Sequence, residues 1–120
     1  MQYFAVHYTY VDDTDLITRH RPDHRAFLTG LTDRGLIAGG AYPEVAPPSA
    51  LLIFRAESAE AVSTMLADDP FRIHGVLADA KVVPWTPVIG IFAELRIRAQ
   101  GRSLASSIAS SAALPGGKGS

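Results

Sequence analysis

Apolar positions along the chain follow two spacings, one typical of β-strands and one typical of α-helices. Aromatic and β-branched residues fill residues 3–11 and predict a first strand with apolar side chains on both faces. Apolar runs predict two more strands over residues 36–41 and 50–56, the earlier one weakened by two adjacent glycines. A fourth strand is predicted over residues 80–88, where two prolines confine the later part to an edge of the sheet or to an irregular extension.

Two helices are predicted between these strands. The first follows an acidic loop, begins at Pro22 and ends near Arg34, with Gly35 as its C-terminal cap. The second begins after Ser58, which suits an N-cap, and ends near Asp69 because a proline follows.

The elements therefore follow the order strand, helix, strand, strand, helix, strand. Two strand–helix–strand units in tandem predict an α+β fold, a ferredoxin-like βαββαβ sandwich with both helices on one face of the sheet. Because the first strand is apolar on both faces, we expect a second copy of the chain to cover the other face. The predicted assembly is a homodimer through sheet faces.

Composition divides the chain into one domain over residues 1–93 and a tail over residues 94–120. The tail begins with arginines and continues in a segment rich in serine, alanine and glycine. Such a segment is expected to be flexible, with at most a transient helix around residues 104–114.

Charge and composition exclude several classes of function. A net charge of -1 gives no electrostatic reason to expect nucleic acid or an anionic membrane as partner. The absence of cysteine excludes disulfides, thiolate metal sites and a cysteine nucleophile. No secretory signal or membrane-spanning run is evident in the sequence, so we expect a soluble cytoplasmic protein.

Two ionisable residues occupy positions where apolar side chains are expected. Apolar residues follow His24 at offsets of three, four and seven, and precede Asp69 at the same offsets. Helical stripes of this kind face the core, so both side chains should be shielded from water and could pair with each other. A carboxylate that orients an imidazole is a common arrangement for proton transfer. Alternatively, both residues lie at frayed helix ends in solvent.

Three short motifs resemble those of the YciI-like (YCII-related) proteins. They are Arg-Pro-Asp-His at residues 21–24, Gly-Gly at residues 39–40 and Asp-Asp-Pro-Phe at residues 68–71. The resemblance covers about residues 1–93. It implies a dimeric α+β barrel, in which two ferredoxin-like subunits place their sheets face to face, and a His–Asp pair in a cleft. One relative is a dehydrochlorinase that acts on a chlorinated hydroxyquinol.

Matched by position, the resemblance places the catalytic pair on His24 and Asp69 and a small polar residue on Ser49. Two further residues are candidates for substrate binding on chemical grounds. Arg21 could stabilise a developing oxyanion, and Phe71 could form a wall for an aromatic ligand together with Trp85. Alternatively, Arg21 is a solvated charge at the start of a helix, and Phe71 and Trp85 are ordinary core residues.

Neither a metal nor a cofactor is expected. His20 and His24 are four residues apart, but Pro22 lies between them, so His20 is expected to precede the helix. The sequence has no phosphate-binding glycine loop and no serine nucleophile motif.

The favoured hypothesis is a small cofactor-free enzyme of the lyase or isomerase type, with His24 as general base and Asp69 as its orienting partner. Its substrate is expected to be small, with aromatic compounds among the candidates. Two alternatives stay open: a module that binds a small ligand without chemistry, and a structural dimer in which the pair satisfies buried polar groups.

Overall fold

The computed structural model describes residues 1–103, with side chains up to residue 99. The chain forms two compact units, Met1–Trp85 and a second that begins at Thr86. The first unit contains the sheet and all of the candidate site residues.

A four-stranded antiparallel sheet forms the centre of the first unit. Its strands are β1 (Gln2–Tyr10), β2 (Leu36–Tyr42), β3 (Ser49–Ala56) and β4 (Leu77–Trp85), in the spatial order β2-β3-β1-β4. The predicted α+β class and the predicted order of strands and helices are confirmed.

The edge position of the last strand is also confirmed, although its bounds differ from the prediction. β4 begins at Leu77, ahead of residue 80, and ends at Trp85. Pro84 pairs with Phe4 of β1, and Pro87 lies beyond the strand. An edge strand tolerates Pro84 because one side of its backbone needs no partner.

Helix α1 (Thr14–Gly30) begins earlier than predicted. Asp13 is its N-cap, and the Asp13 carboxylate accepts a hydrogen bond of 3.1 Å from the backbone N–H of Leu16. Pro22 therefore lies inside the helix rather than in its first turn, and the prediction of its start was wrong. Pro22 is on the exposed side of α1, where water can replace the missing N–H.

A 3-10 turn, Thr32–Arg34, follows α1 and ends at Gly35. Gly35 has a φ of 112°, which residues with a side chain rarely adopt. A Cβ atom at this position would also collide with the backbone carbonyl oxygen of Arg55. The helix α1 itself ends at Gly30 and its C-cap is Leu31, so the predictions that the first helix runs to Arg34 and is capped by Gly35 were wrong. Gly35 caps the 3-10 turn instead, and it allows close approach to β3.

Replacing Gly35 with alanine should lower the free energy of unfolding by at least about 2 kcal/mol, because both the backbone angle and the collision oppose a side chain. Gly30→Ala is the matched control. A Cβ at Gly30 meets no neighbouring atom, and Gly30 is helical, so alanine should leave stability unchanged or raise it by up to about 1 kcal/mol. Urea unfolding of both variants measures the difference, and equal stabilities would contradict the prediction.

Helix α2 (Ala59–Leu66) begins where predicted, with Ser58 as N-cap, but it ends before Asp69. Asp69 instead has extended backbone angles and is the N-cap of the short helix α3 (Pro70–Ile73). The prediction that Asp69 ends the second helix was wrong, because a residue that precedes proline favours extended backbone and an aspartate favours the N-cap.

Buried side chains cover both faces of β1. On the face toward α1 and α2, Phe4, Val6 and Tyr8 belong to the main core. On the opposite face, Tyr3 and Ala5 form a smaller cluster with other apolar residues of the sheet. The prediction of a strand that is apolar on both faces is confirmed, while the sheet-to-sheet dimer stays a prediction.

The second unit contains helix α4 (Ile91–Ser103). Residues 94–103 are therefore helical where the sequence predicted the start of a tail, and the predicted boundary at residues 93 and 94 falls inside α4. Alanine, leucine, glutamate and arginine are strong helix formers, which explains the difference. The transient helix predicted around residues 104–114 lies outside the described residues. In the described part of the chain, no helix has the length and hydropathy needed to cross a membrane.

Candidate active site

His24 and Asp69 lie in contact, as predicted. Nδ1 of His24 is 2.8 Å from Oδ1 of Asp69, although 45 residues separate them in the chain. The His24 side chain projects inward from α1 and is 6% exposed, and Asp69 is fully buried. The alternative that both residues fray into solvent is wrong.

The Asp69 carboxylate is held by three hydrogen-bond donors. Besides His24, the backbone N–H of Phe71 donates to Oδ1 at 2.9 Å, as expected of an N-cap. The hydroxyl of Tyr8 on β1 donates to Oδ2 at 2.9 Å. Because strand β1, helix α1 and helix α3 each contribute a donor, the position of this carboxylate depends on the packing of all three elements.

This arrangement decides which nitrogen of His24 carries the proton. A carboxylate that already accepts two other hydrogen bonds is an acceptor for His24 too, so Nδ1 carries the proton. In the neutral ring, Nε2 is then unprotonated. Nε2 makes no hydrogen bond to a described residue, and every fully buried polar side-chain atom of the described residues has a partner. It follows that Nε2 is accessible.

Aromatic rings fix the orientation of the imidazole. The ring of Phe71 stacks on that of His24 with centroids 3.7 Å apart and planes 3° apart. The ring of Tyr10 packs edge-on against Phe71, with centroids 5.3 Å apart. Since one face of the imidazole is covered, a ligand must approach His24 by its edge or its other face.

Two tyrosines beside the pair remain neutral. Burial raises the pKa of Tyr8 well above its usual range, and the charge of Asp69 and the hydrogen bond to it raise it further. Burial and the charge of Asp69 also raise the pKa of Tyr10, whereas Arg21 and Arg25 act to lower it. Tyr8 is therefore a hydrogen-bond donor to Asp69 and not a base.

Replacing Tyr8 with phenylalanine should lower the free energy of unfolding by about 1–3 kcal/mol, because Oδ2 of the buried Asp69 loses its donor. Tyr10→Phe is the matched control, since the Tyr10 hydroxyl makes no side-chain hydrogen bond to a described residue and its loss should change stability by less than about 0.5 kcal/mol. Equal effects in the two variants, measured by denaturant unfolding, would contradict the assigned role of Tyr8.

The raised pKa of Tyr8 also predicts a dependence on pH. Folding favours the neutral phenol, so the stabilisation is complete below the ordinary tyrosine pKa of about 10 and is lost as the pH rises above it. The wild-type free energy of unfolding should therefore fall more steeply above about pH 10 than that of Tyr8→Phe. Parallel curves for the two proteins would count against this account.

A cavity of about 460 Å³ opens beside His24. Its walls are the second half of α1, the 3-10 turn, and the facing parts of β1, β2, β3 and α3. The residues that line it are Tyr10, Arg21, His24, Arg25, Leu28, Thr29, Thr32, Leu36, Gly39, Gly40, Ala41, Ala50, Leu52 and Phe71.

The Gly-Gly motif lies in the β2 wall of this cavity. A Cβ atom at Gly39 would approach Cδ2 of Leu52 to 2.9 Å, so a side chain there would displace the Leu52 side chain. A Cβ at Gly40 would meet no atom. The close approach to Leu52 explains the glycine at position 39. The pairing of β2 with β3 is irregular between Leu36 and Ala38, and not at the two glycines.

The predicted substrate-binding residues are placed differently from one another. Arg21 and Phe71 line the cavity beside His24. Ser49 does not line it, and its hydroxyl donates instead to the backbone carbonyl of Pro47 at 2.8 Å. Trp85, the last residue of β4, is not among the cavity residues either. The structure thus brings Arg21 and Phe71 to the pair but not Ser49 or Trp85.

Sequence reasoning missed Tyr8 and Arg25. Tyr8 lies on the core-facing side of β1, where its buried hydroxyl requires a hydrogen-bond partner, and that requirement was the available signal. Arg25 follows Arg21 by four residues, a spacing that places both on one side of α1.

His20 lies within α1, so the expectation that it precedes the helix was wrong. Its ring stacks on that of His74, with centroids 4.0 Å apart and planes 7° apart. Partial desolvation and the neighbouring His74 and Arg19 lower the pKa of His20. Among the described residues, no group of three or more histidines, aspartates or glutamates could hold a metal ion.

Comparison with solved structures finds a protein that shares this fold and others with weaker similarity. The chain is similar to a 5-chloro-2-hydroxyhydroquinone dehydrochlorinase from Burkholderia phenoliruptrix, solved in complex with 2,5-dihydroxybenzoquinone. The TM-score is 0.62 and the identity 22%, over 73% of this chain and 95% of that chain. A protein from Arabidopsis thaliana is similar with a TM-score of 0.45 and 13% identity, over 76% of this chain and 99% of that one. A protein from Agrobacterium tumefaciens is similar with a TM-score of 0.42 and 14% identity, over 72% of this chain and 93% of that one.

No curated protein matches the chain. The model of the YCII-related domain, however, matches residues 1–86, which is most of the chain and the part that contains the sheet and the His24–Asp69 pair. The chain therefore belongs to the YCII-related family.

Proposed function

We propose that this protein is a small enzyme that transfers a proton to and from a ring-shaped substrate, with His24 as general base and Asp69 as the residue that orients it. One observation carries the proposal: Nδ1 of His24 is fixed by a buried carboxylate, while Nε2 has no described partner and His24 lines a cavity. A base needs this combination of a fixed ring and an accessible lone pair.

The chemistry needs no group beyond the side chains and the substrate. Nε2 takes a proton from an acidic C–H or O–H bond, and Asp69 stabilises the imidazolium that forms. The electron pair of that bond remains on the substrate. It either expels a leaving group such as chloride, which is an elimination, or takes up a proton at another atom, which is an isomerisation. His24 then returns its proton to water or to the product.

The cavity supports a small ring as substrate. Its volume of about 460 Å³ is in the range of small-molecule sites, and leucine and alanine side chains supply apolar walls. Arg21 lines the cavity and can stabilise negative charge that develops on the substrate. The dehydrochlorinase with the same fold was solved with a ring-shaped quinone, which supports a ring-shaped substrate here.

A binding module is the second candidate, because the cavity beside stacked aromatic rings would also hold a ligand without chemistry. A panel of hydroxylated and halogenated ring compounds, incubated with the full chain in D₂O, separates the two functions. We expect at least one compound to lose its leaving group or to gain deuterium, detected by mass spectrometry. Compounds that bind beside His24 but neither react nor exchange a proton would contradict the enzyme and support the binding module.

We also propose that the protein forms a homodimer through the sheet face opposite α1 and α2. Buried Tyr3, Ala5 and Ile53 lie on that face, as does the exposed Val83 of β4. An exposed apolar side chain such as Val83 favours association with a second copy. Sedimentation of the full chain should give the mass of a dimer, and a monomer at all concentrations would contradict this.

A further inference from the structure

Positive charge is concentrated on the side of α1 that faces the cavity. Arg21 and Arg25 both line it, at a spacing of four residues that places them on one side of the helix, with His24 between them in the chain. No aspartate or glutamate is among the lining residues. The Asp69 carboxylate beside His24 already accepts hydrogen bonds from Tyr8, His24 and Phe71.

Neither arginine has a carboxylate partner among the described residues. The ion pairs among the described residues are His24–Asp69 and Arg98–Glu94. Asp23 is two residues from both Arg21 and Arg25, so it lies on a different side of α1. Both guanidinium groups nonetheless lie close enough to Tyr10, which also lines the cavity, to oppose the rise in its pKa.

The two threonines of the cavity are poor donors to an anion. The Thr29 hydroxyl donates its proton to the carbonyl oxygen of Arg25, and the Thr32 hydroxyl donates to the carbonyl oxygen of Thr29. Both hydroxyls therefore present lone pairs to the cavity. The remaining walls are largely apolar, so Arg21 and Arg25 are the groups suited to a negative charge.

We propose that the cavity binds a ring compound that carries a carboxylate, with the carboxylate held by Arg21 and Arg25 and an acidic bond of the ring directed at Nε2 of His24. Planar guanidinium groups match the geometry of a carboxylate and bind it through paired hydrogen bonds. The inference rests on the proposed function and narrows its substrates from ring compounds in general to ring carboxylates.

Benzoate and benzamide are matched probes, because they have nearly the same shape and differ in charge. Binding to the full chain is measured by titration calorimetry and by NMR shifts of the cavity residues. We expect benzoate to bind at least about tenfold more tightly than benzamide, since charged partners strengthen hydrogen bonds. Added salt should weaken the binding of benzoate and leave that of benzamide unchanged.

Removal of both arginines tests the assignment of the residues. In Arg21→Gln with Arg25→Gln, benzoate should bind no better than benzamide. Arg19→Gln with Arg34→Gln is the matched control, which removes two exposed positive charges outside the cavity lining and should retain the preference for benzoate. Absence of benzoate binding, equal affinity for the two probes in the wild type, or an unchanged preference in the Arg21 and Arg25 variant would overturn the proposal.

The outcome is separable from that of the proposed function. His24→Asn should still prefer benzoate, because binding of the carboxylate does not require proton transfer. If neutral ring compounds are turned over while benzoate and benzamide bind equally, the carboxylate inference fails and the enzyme proposal stands. If benzoate is preferred but no ring compound reacts or exchanges a proton, the enzyme proposal fails and the anion site stands.

Discussion

Replacing Asp69 with alanine should lower the free energy of unfolding by about 3–5 kcal/mol, because three buried donors lose their acceptor at once. These donors are the Tyr8 hydroxyl, the Nδ1–H of His24 and the backbone N–H of Phe71. The N-cap of α3 is lost in the same substitution. Denaturant unfolding monitored by circular dichroism measures the change.

The neighbouring Asp68 provides a matched control. Asp68 has the same side chain but is exposed, and no side-chain hydrogen bond or ion pair joins it to a described residue. Asp68→Ala should change the free energy of unfolding by less than about 0.5 kcal/mol. Comparable losses in the two variants would show that the buried network around Asp69 does not stabilise the fold as described.

Asp69→Asn separates the structural role of Asp69 from its role in catalysis. The amide keeps the shape of the side chain and can still accept from Phe71, so we expect a smaller loss of stability than in Asp69→Ala. An uncharged amide no longer stabilises an imidazolium, so turnover should fall by about 10²–10⁴-fold even where the protein is fully folded.

Replacing His24 with asparagine should lower kcat by about 10²–10⁴-fold, because the accessible nitrogen at the cavity is the proposed base. KM should change little, since the cavity walls and both arginines remain. The measurement is steady-state turnover of a ring compound that the D₂O screen identifies as a substrate.

His20→Asn is the matched control for His24→Asn. His20 lies one turn earlier on α1, stacks on His74 and does not line the cavity, so its loss should leave kcat unchanged. Thermal unfolding of both variants distinguishes a base from a structural residue. If His24→Asn retains full turnover and loses only stability, the His24–Asp69 pair has a structural role and the enzyme proposal fails.

The contact between His24 and Asp69 could be predicted from the sequence, although the local reasons for it were partly wrong. Helical spacing correctly indicated an inward-facing His24, but α1 begins at Thr14, so His24 lies inside the helix rather than near its start. Asp69 is buried because it is the N-cap of α3 and not the last residue of a helical stripe. A proline caused each error. Pro22 fits a first helical turn but occurs here inside α1, and Pro70 was expected to end the second helix but begins α3.

The remaining parts of the site depend on distances between elements, which spacing in the sequence does not determine. The hydroxyl of Tyr8 reaches Asp69 because of how α3 packs against β1, and a tyrosine in an apolar strand is otherwise read as ordinary core. The cavity lies between α1, the 3-10 turn and the facing parts of β2 and β3, and Ser49 does not line it because its hydroxyl donates to the preceding loop. The prediction that Ser49 belongs to the site rested only on its position relative to the family's motifs.

The most direct test of the account is the protonation state of the two ring nitrogens of His24, measured by long-range ¹⁵N–¹H NMR on the full chain at a pH where the ring is neutral. His24→Asn assigns the signal among the four histidines. We expect a protonated Nδ1, bonded to Asp69, and an unprotonated Nε2 at the cavity. A neutral ring with its proton on Nε2 would leave no lone pair for the substrate and would contradict His24 as the base.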